Sequence, residues 1–241
     1  VILLFTDFGA QGPYLGQMEA VLRGAVPQVP VINLLSDAPM GDPRRSAYLL
    51  AALARSFPEG CVFLAVVDPG VGGERWPVAL KADGRWFVGP DNGLFNTVAL
   101  ASTATEWRRI AWRPAAMSAS FHGRDLFAPV AARLAQGDLS WADPAPWGGP
   151  DLAAWASDLA EVIYIDHYGN AITGLRYGAE LDGRVLRAGG LELRQAETFC
   201  SVAESDAFWY CNSMGLVEVA VNRGRADQHL GLALGAALDF A

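Results

Sequence analysis

Val66-Val67-Asp68-Pro69-Gly70-Val71-Gly72-Gly73-Glu74-Arg75 is the stretch that decides how the chain folds. An apolar run, Cys61 to Val67, ends in the carboxylate of Asp68, and Pro69 stops it. Such a run, bounded by turn residues, predicts a buried strand. Gly70, Gly72 and Gly73 let the backbone turn tightly and approach a ligand closely. Arg75 closes the loop with a permanent positive charge. An acid and an arginine seven residues apart, on a glycine-rich loop at the carboxyl end of a buried strand, mark a candidate reaction centre.

The residues before this loop place that strand third in an alternating order. Val1 to Thr6 reads as a buried strand ending at Asp7, and Tyr14 to Ala25 carries Leu15, Met18, Val21, Leu22 and Ala25 at helical spacing. Val29 to Leu35 predicts a second strand, ending near Asp37. Asp42-Pro43 is a helix start, an N-cap acid followed by proline at the first helical position, and the helix it opens runs towards Pro58. The order β-α-β-α-β is that of a mostly parallel sheet covered by helices, whose ligands bind at the carboxyl ends of the strands. Asp7, Asp37 and Asp68 all sit there.

Beyond the loop, Asp83-Gly84 predicts a hairpin between Pro77–Lys81 and Arg85–Val88. Gly89-Pro90-Asp91-Asn92-Gly93 predicts a loop before a helical segment, Leu94 to Leu100, and Trp107 to Trp112 predicts a strand. Phe121-His122-Gly123-Arg124-Asp125 precedes a predicted helix, Leu126 to Gln136, with Gly137 as its cap. Ala142 to Pro150, reading ADPAPWGGP, punctuates the chain, and the pattern after it changes to short strands. We therefore expect an α/β domain over 1–147, a linker over 148–157 and a small antiparallel β-barrel over 158–241.

Composition narrows the function. The 241 residues carry a net charge of −8, which argues against a nucleic-acid partner. No apolar run is long enough to span a membrane, and the opening VILLFTD reaches Asp7 too soon for a signal peptide. Three cysteines at irregular spacing suit reduced thiols and a cytoplasmic location. Gly70-Val71-Gly72-Gly73 fails the dinucleotide fingerprint, because Arg75 stands where the third glycine would fall and a strand follows. His122, His167 and His229 have no metal-ligand spacing to one another or to the cysteines, so neither metal nor cofactor is expected. The strand-end acids are capping groups, ribose-binding carboxylates or metal ligands on these grounds alone. His122, and the turn Asp166-His167-Tyr168-Gly169-Asn170, are likewise either structural or functional.

Taken together, the motifs are more specific. Thr6-Asp7-Phe8-Gly9, Val67 to Gly72 with Arg75, Gly89 to Gly93, Phe121 to Asp125 and Asn212-Ser213 occur in that order. In this the chain resembles, over nearly its whole length, the S-adenosylmethionine hydroxide adenosyltransferases. These are adenosine-forming S-adenosyl-L-methionine hydrolases, relatives of the fluorinase and chlorinase enzymes. The resemblance implies attack of water or hydroxide on the ribose C5′, with methionine expelled. It also implies a homotrimer whose ligand lies between the N-terminal domain of one subunit and the C-terminal domain of the next. The family's catalytic Asp-Arg-His set maps onto Asp68, Arg75 and His122. Asp7 matches the acid that binds the ribose hydroxyls, and Asp166 and Ser213 match residues that hold the methionine end. Asn170 matches a group reading the adenine, Tyr168 an aromatic lining its pocket, and Asn212 is counted with these substrate-binding residues.

Two departures stand out. Ala10-Gln11-Gly12-Pro13 lacks the acid the family often carries there, which removes one contact to the methionine ammonium, and Leu34-Leu35-Ser36 lacks a histidine the family often has. The nearest rival is a halogenase forming 5′-halo-adenosine, but those enzymes lack the Asp-Arg-His set and carry an extra loop, and this chain has no obvious insertion between Gly93 and Ser120. Other readings are a metal-dependent phosphohydrolase using Asp7, Asp68 and Asp91, and a non-catalytic adenosine or S-adenosylmethionine sensor.

Overall fold

The structure, a computed structural model, describes residues 1–241. Contacts group the chain into two compact units, residues 1–51 with 57–155, and residues 52–56 with 156–241.

The first unit is built on strands β1 (Ile2–Thr6), β2 (Val31–Leu35), β3 (Val62–Val66), β4 (Pro77–Ala82), β5 (Arg85–Pro90) and β6 (Thr105–Arg109). Helices α1 (Tyr14–Ala25), α2 (Pro43–Ala54, of which residues 52–54 group with the second unit), α3 (Asn96–Ala101) and α4 (Ala128–Ala135) accompany them. The sheet has six strands in the order β2-β1-β3-β5-β4-β6. β2, β1, β3 and β5 pair in parallel, whereas β4 runs antiparallel to both β5 and β6. The sheet is thus mixed, and the hairpin is the reason. Asp83 and Gly84 both take positive φ, 43° and 78°, the backbone that a two-residue hairpin needs.

Alternation along the buried strands splits their side chains between two faces. Ile2, Leu4, Val62, Leu64 and Val66 pack against Met18 and Leu22 of α1 and Val130, Ala131 and Leu134 of α4. On the other face Phe63 stacks on Phe87 at 4.7 Å, and Phe87 meets Phe95 at 6.0 Å. Asp42 caps α2 as its sequence predicts, with Oδ1 accepting the Arg45 N–H at 3.0 Å.

One helix departs from expectation. Gly123–Phe127 forms a π turn, closed by the Ala128 N–H donating to the Gly123 carbonyl, and regular α-helix begins only at Ala128. Pro129 has no N–H to return to the Asp125 carbonyl, so the wider turn forfeits no hydrogen bond there. The punctuated segment after α4 packs on the first unit. Ala142 bridges Ile110, and the Trp147 ring lies 5.6 Å from that of Trp107.

The second unit carries β7 (Leu159–Ile165), β8 (Ala171–Arg176), β9 (Leu186–Ala188), β10 (Leu191–Leu193), β11 (Ala207–Cys211), β12 (Leu216–Val221), a short helix α5 (Ala226–His229) and β13 (Asp239–Phe240). The strands form a four-stranded sheet, β11-β12-β8-β7, and a three-stranded sheet, β10-β9-β13. Every ladder in them is antiparallel. Val162, Leu186, Leu193, Trp209, Val217 and Val219 form their shared core. No helix is long and apolar enough to cross a membrane.

Candidate active site

β1 and β3 are paired in register, Thr6 opposite Val66. Both strands therefore deliver an acid to the same end of the sheet, Asp7 from one and Asp68 from the other. The Asn92 side chain ties down the end of β3 by donating to the Val67 carbonyl at 2.8 Å. The chain beyond Asp68 turns on itself, with the Val71 N–H donating to the Asp68 carbonyl at 3.2 Å and the Gly73 N–H to that of Gly70 at 3.0 Å. This fold brings Arg75 back onto Asp68.

The Arg75 Nε lies 3.0 Å from each carboxylate oxygen of Asp68, and Nη2 donates to Oδ2 as well. The same Nη2 lies 3.0 Å from Nδ1 of His122. The Asp68 and Arg75 side chains are only 4% and 11% exposed, and His122 is buried. The guanidinium also sits 5.4 Å from the centre of the Phe127 ring. Buried charges need partners, and here each charge is the other's partner.

The geometry fixes the protonation of the imidazole. A guanidinium has donors only, so Nδ1 of His122 must offer its lone pair and the ring's proton rests on Nε2. Burial, and next the positive charge of Arg75, hold His122 below its ordinary value of 6.5, with Asp68 opposing them. The ring is therefore neutral near pH 7 and can donate a hydrogen bond from Nε2.

Asp7, Asp68 and His122 line one cavity of about 320 Å³, together with Tyr14, Met40 and Ser120. Oδ2 of Asp7 accepts the Gly41 N–H at 2.9 Å. Burial raises the Asp7 pKa above 3.8, against the lowering effect of that bond. Asp37 and Asp91, also at strand ends, do not line this cavity. Nowhere do three His, Cys, Asp or Glu side chains gather in a metal-ligand arrangement, so Asp7, Asp68 and Asp91 do not form the triad that a metal-dependent phosphohydrolase would need.

The remaining sequence-predicted residues meet in the second unit. Asp166, Tyr168, Asn170, Asn212 and Ser213 all line a cavity of about 810 Å³. Asp166 is held by its own turn, Oδ1 accepting the Asn170 N–H at 2.8 Å and Oδ2 the Asn170 amide at 3.1 Å. Tyr168 projects outward, 73% exposed. The Asn212 Oδ1 accepts the backbone N–H groups of Met214 and Leu216 at 2.9 and 3.0 Å, which fixes the turn carrying Ser213.

Sequence reasoning missed Glu218. It lines the same cavity yet is only 4% exposed. Oε1 accepts the Tyr210 hydroxyl at 2.6 Å, and Oε2 the Asn212 amide at 2.8 Å. Burial raises its pKa above 4.5, and the nearby charge of Asp166 adds to that, against the hydrogen bonds from Tyr210 and Asn212. The available signal was a lone acid inside the otherwise apolar strand Leu216–Val221.

Comparison with known proteins is consistent along the whole chain. A family model described as the SAM hydroxide adenosyltransferase N-terminal domain matches residues 2–143, and one for the C-terminal domain of the same family matches residues 160–239. A protein of Thermus thermophilus named (R)-S-adenosyl-L-methionine hydrolase is 39% identical over 254 residues, covering 96% of this chain and 95% of its own. A protein of the same name from Salinispora arenicola is 40% identical over 245 residues, covering 95% and 93%. Among solved structures, an uncharacterized conserved protein from Thermotoga maritima superposes with a TM-score of 0.91 at 30% identity, with all of both chains covered. A conserved hypothetical protein from Thermus thermophilus gives a TM-score of 0.77 at 37% identity, covering 100% of this chain and 99% of its own.

Proposed function

The chain belongs to the SAM hydroxide adenosyltransferase family, and from that membership and the site geometry we propose that it is an enzyme hydrolysing S-adenosyl-L-methionine to adenosine and L-methionine. Its relatives are named for the R epimer at the sulfonium centre, and we assign the same epimer to this chain. The water oxygen forms a bond to the ribose C5′ as the C5′–S bond breaks. The electron pair of that bond returns to sulfur, methionine leaves as a neutral thioether, and one proton is released from the water. The leaving group needs no acid, so catalysis must serve the nucleophile.

The observation that carries this reading is Arg75 bridging Asp68 and His122 beside a cavity that Asp7 also lines. In the proposed mechanism Asp68 and Arg75 hold the attacking water and favour hydroxide-like charge on it, and His122 directs it through Nε2–H. Proton handling of this kind contributes about 10²- to 10⁴-fold, and in-line placement adds to it. Asp7 binds the ribose diol. Asp166 and Ser213 hold the methionine end, Asn170 and Tyr168 receive the adenine, and Asn212 fixes the turn on which Ser213 sits.

These two groups of residues line separate cavities, one in each unit. The family resemblance supports a homotrimer in which the N-terminal site of one subunit is completed by the C-terminal site of its neighbour. It also supports a C-terminal barrel, while the punctuation at Ala142 to Pro150 and the change of pattern after it support domain limits of 1–147 and 158–241 with a linker over 148–157. The bridges Glu161–Ala237 and Gln195–Trp209 are contacts through which such a barrel would close. A cytoplasmic location suits the substrate and the free cysteines.

The test is incubation with each S-adenosylmethionine epimer, with chloride or fluoride present in parallel, followed by chromatography. Adenosine and methionine in equal amounts from the R epimer support the proposal. Formation of 5′-halo-adenosine would mean a halogenase, and tight adenosine binding without turnover would mean a sensor.

A further inference from the structure

His122 stands at the end of a loop whose position is set from two sides. On one side is the glycine loop that carries Asp68 and Arg75. Gly72, at φ +81°, runs so close to this loop that a Cβ built on it would lie 2.7 Å from the Ala119 carbonyl oxygen. On the other side is Asp125, in the π turn. Its Oδ2 accepts the Ser118 N–H at 2.8 Å. Ser118 and Ala119 are adjacent, so the anchor from Asp125 falls directly beside the point where the two loops touch.

Asp125 is itself braced. Arg124 grips it through Nε at 2.6 Å and Nη2 at 3.0 Å, and reaches α1 through Nη1, 2.8 Å from Oε1 of Gln17. The Arg124 guanidinium also lies 5.2 Å from the centre of the Phe121 ring, next to His122 in sequence. These contacts tie the loop to the first helix of the unit.

We propose that Asp125 is a positioning residue, which holds the Ser118–Ser120 segment against Gly72 and thereby keeps His122 Nδ1 within hydrogen-bond reach of Arg75. It touches neither substrate nor reacting water. Its effect on turnover rests on the hydrolase reading above, whereas its effect on the imidazole does not.

Asp125→Asn tests this. The variant keeps the shape but turns one acceptor into a donor, facing the donors of Ser118 and Arg124. Two measurements are made on the full chain. The first is the nitrogen-detected NMR signature of the imidazoles, of which the chain has three. In the wild type His122 is a neutral Nε2–H tautomer held by Arg75, and in the variant it reverts to the tautomer mixture of a free ring. The second is steady-state kinetics, with active sites counted by adenosine titration. Here kcat falls about 10- to 100-fold, the size expected for misplacement of a catalytic group, while adenosine affinity stays within about twofold, because the anchor lies outside the nucleoside contacts. An unchanged His122 signature, or full kcat, overturns the proposal. Loss of turnover in the wild type itself would sink the hydrolase reading and leave the NMR arm decisive. Should Asp125→Asn yield no folded protein, Arg124→Gln removes the brace alone and is expected to show the same pattern at smaller size, with unchanged NMR and kcat again overturning it.

Discussion

Arg75 links Asp68 to His122: its Nε lies 3.0 Å from the Asp68 carboxylate, and its Nη2 lies 3.0 Å from Nδ1 of His122. The guanidinium is the junction of the set, and its planar fork is what allows both contacts. Lysine offers a point charge in place of the fork. Arg75→Lys is therefore expected to lower kcat roughly 100-fold, as for a catalytic group displaced by an ångström, with little change in adenosine affinity. Steady-state kinetics beside isothermal titration with adenosine checks this, and a variant with wild-type kcat would remove Arg75 from the proposed set.

The same junction sets a pH dependence. Burial and Arg75 depress the His122 pKa below 6.5, so the working neutral ring persists as the pH falls past that value. The acid limb of kcat should lie below pH 6.5, not at it. Stability follows the same sign: the unfolded chain takes up its proton at about 6.5, before the folded one does. The contribution of His122 is thus complete above that pH and is lost as pH falls from there towards the lower folded value. A kcat profile with its midpoint at or above 6.5 would contradict the lowered pKa of His122.

Asp7 is expected to act on binding more than on chemistry. Its carboxylate can accept both hydroxyls of a ribose, and a hydrogen bond to a charged group contributes about 1.5–3 kcal/mol. Asp7→Asn should weaken adenosine binding roughly 10- to 100-fold by that figure, while kcat at saturating substrate changes less. Equal loss in kcat and none in adenosine affinity would move Asp7 into the chemical step.

Glu218 separates charge from scaffolding. A folded pKa raised above 4.5 means that ionisation costs the folded state stability as pH rises from 4.5 towards that higher value. Glu218→Gln keeps an acceptor for Asn212 and a partner for Tyr210 without the charge, so its melting temperature at neutral pH should equal or exceed the wild type's. Glu218→Ala leaves both neighbours without their partner and should destabilise by about 1–3 kcal/mol. Differential scanning calorimetry of the two variants decides it, and a Gln variant as unstable as the Ala variant would mean that the charge itself is needed.

Gly89 tests the packing under the site. A Cβ there would lie 2.1 Å from the Ala65 carbonyl of the neighbouring strand. Gly89→Ala must push β5 away from β3 and should cost about 1–3 kcal/mol or more, measured by urea unfolding. An unaffected midpoint would mean that the strands separate easily there.

Much of this was legible in the residues, and the reasons are local. Apolar runs ending in acids located β1 and β3, Asp42-Pro43 located the start of α2, and Asp83-Gly84 located the hairpin, because each is governed by neighbours in the chain. The π turn at Gly123 was not legible, since its hydrogen-bond register depends on Pro129 and on packing. Glu218 was hidden because one acid in an apolar strand gives no sign of the Tyr210 and Asn212 that face it from other positions. The meeting of Arg75 with His122, 47 residues apart, was expected only from family resemblance. Nothing in the spacing required it, because it depends on Gly72 fitting against Ala119.

The central claim is that water attacks C5′ of the ribose. Turnover of the R epimer in water enriched with oxygen-18, followed by mass spectrometry of both products, tests it most directly. The account predicts adenosine carrying the heavy oxygen at its 5′-hydroxyl, with unlabelled L-methionine in equal amount. Unlabelled adenosine, label in the amino-acid product, or no adenosine at all would contradict it.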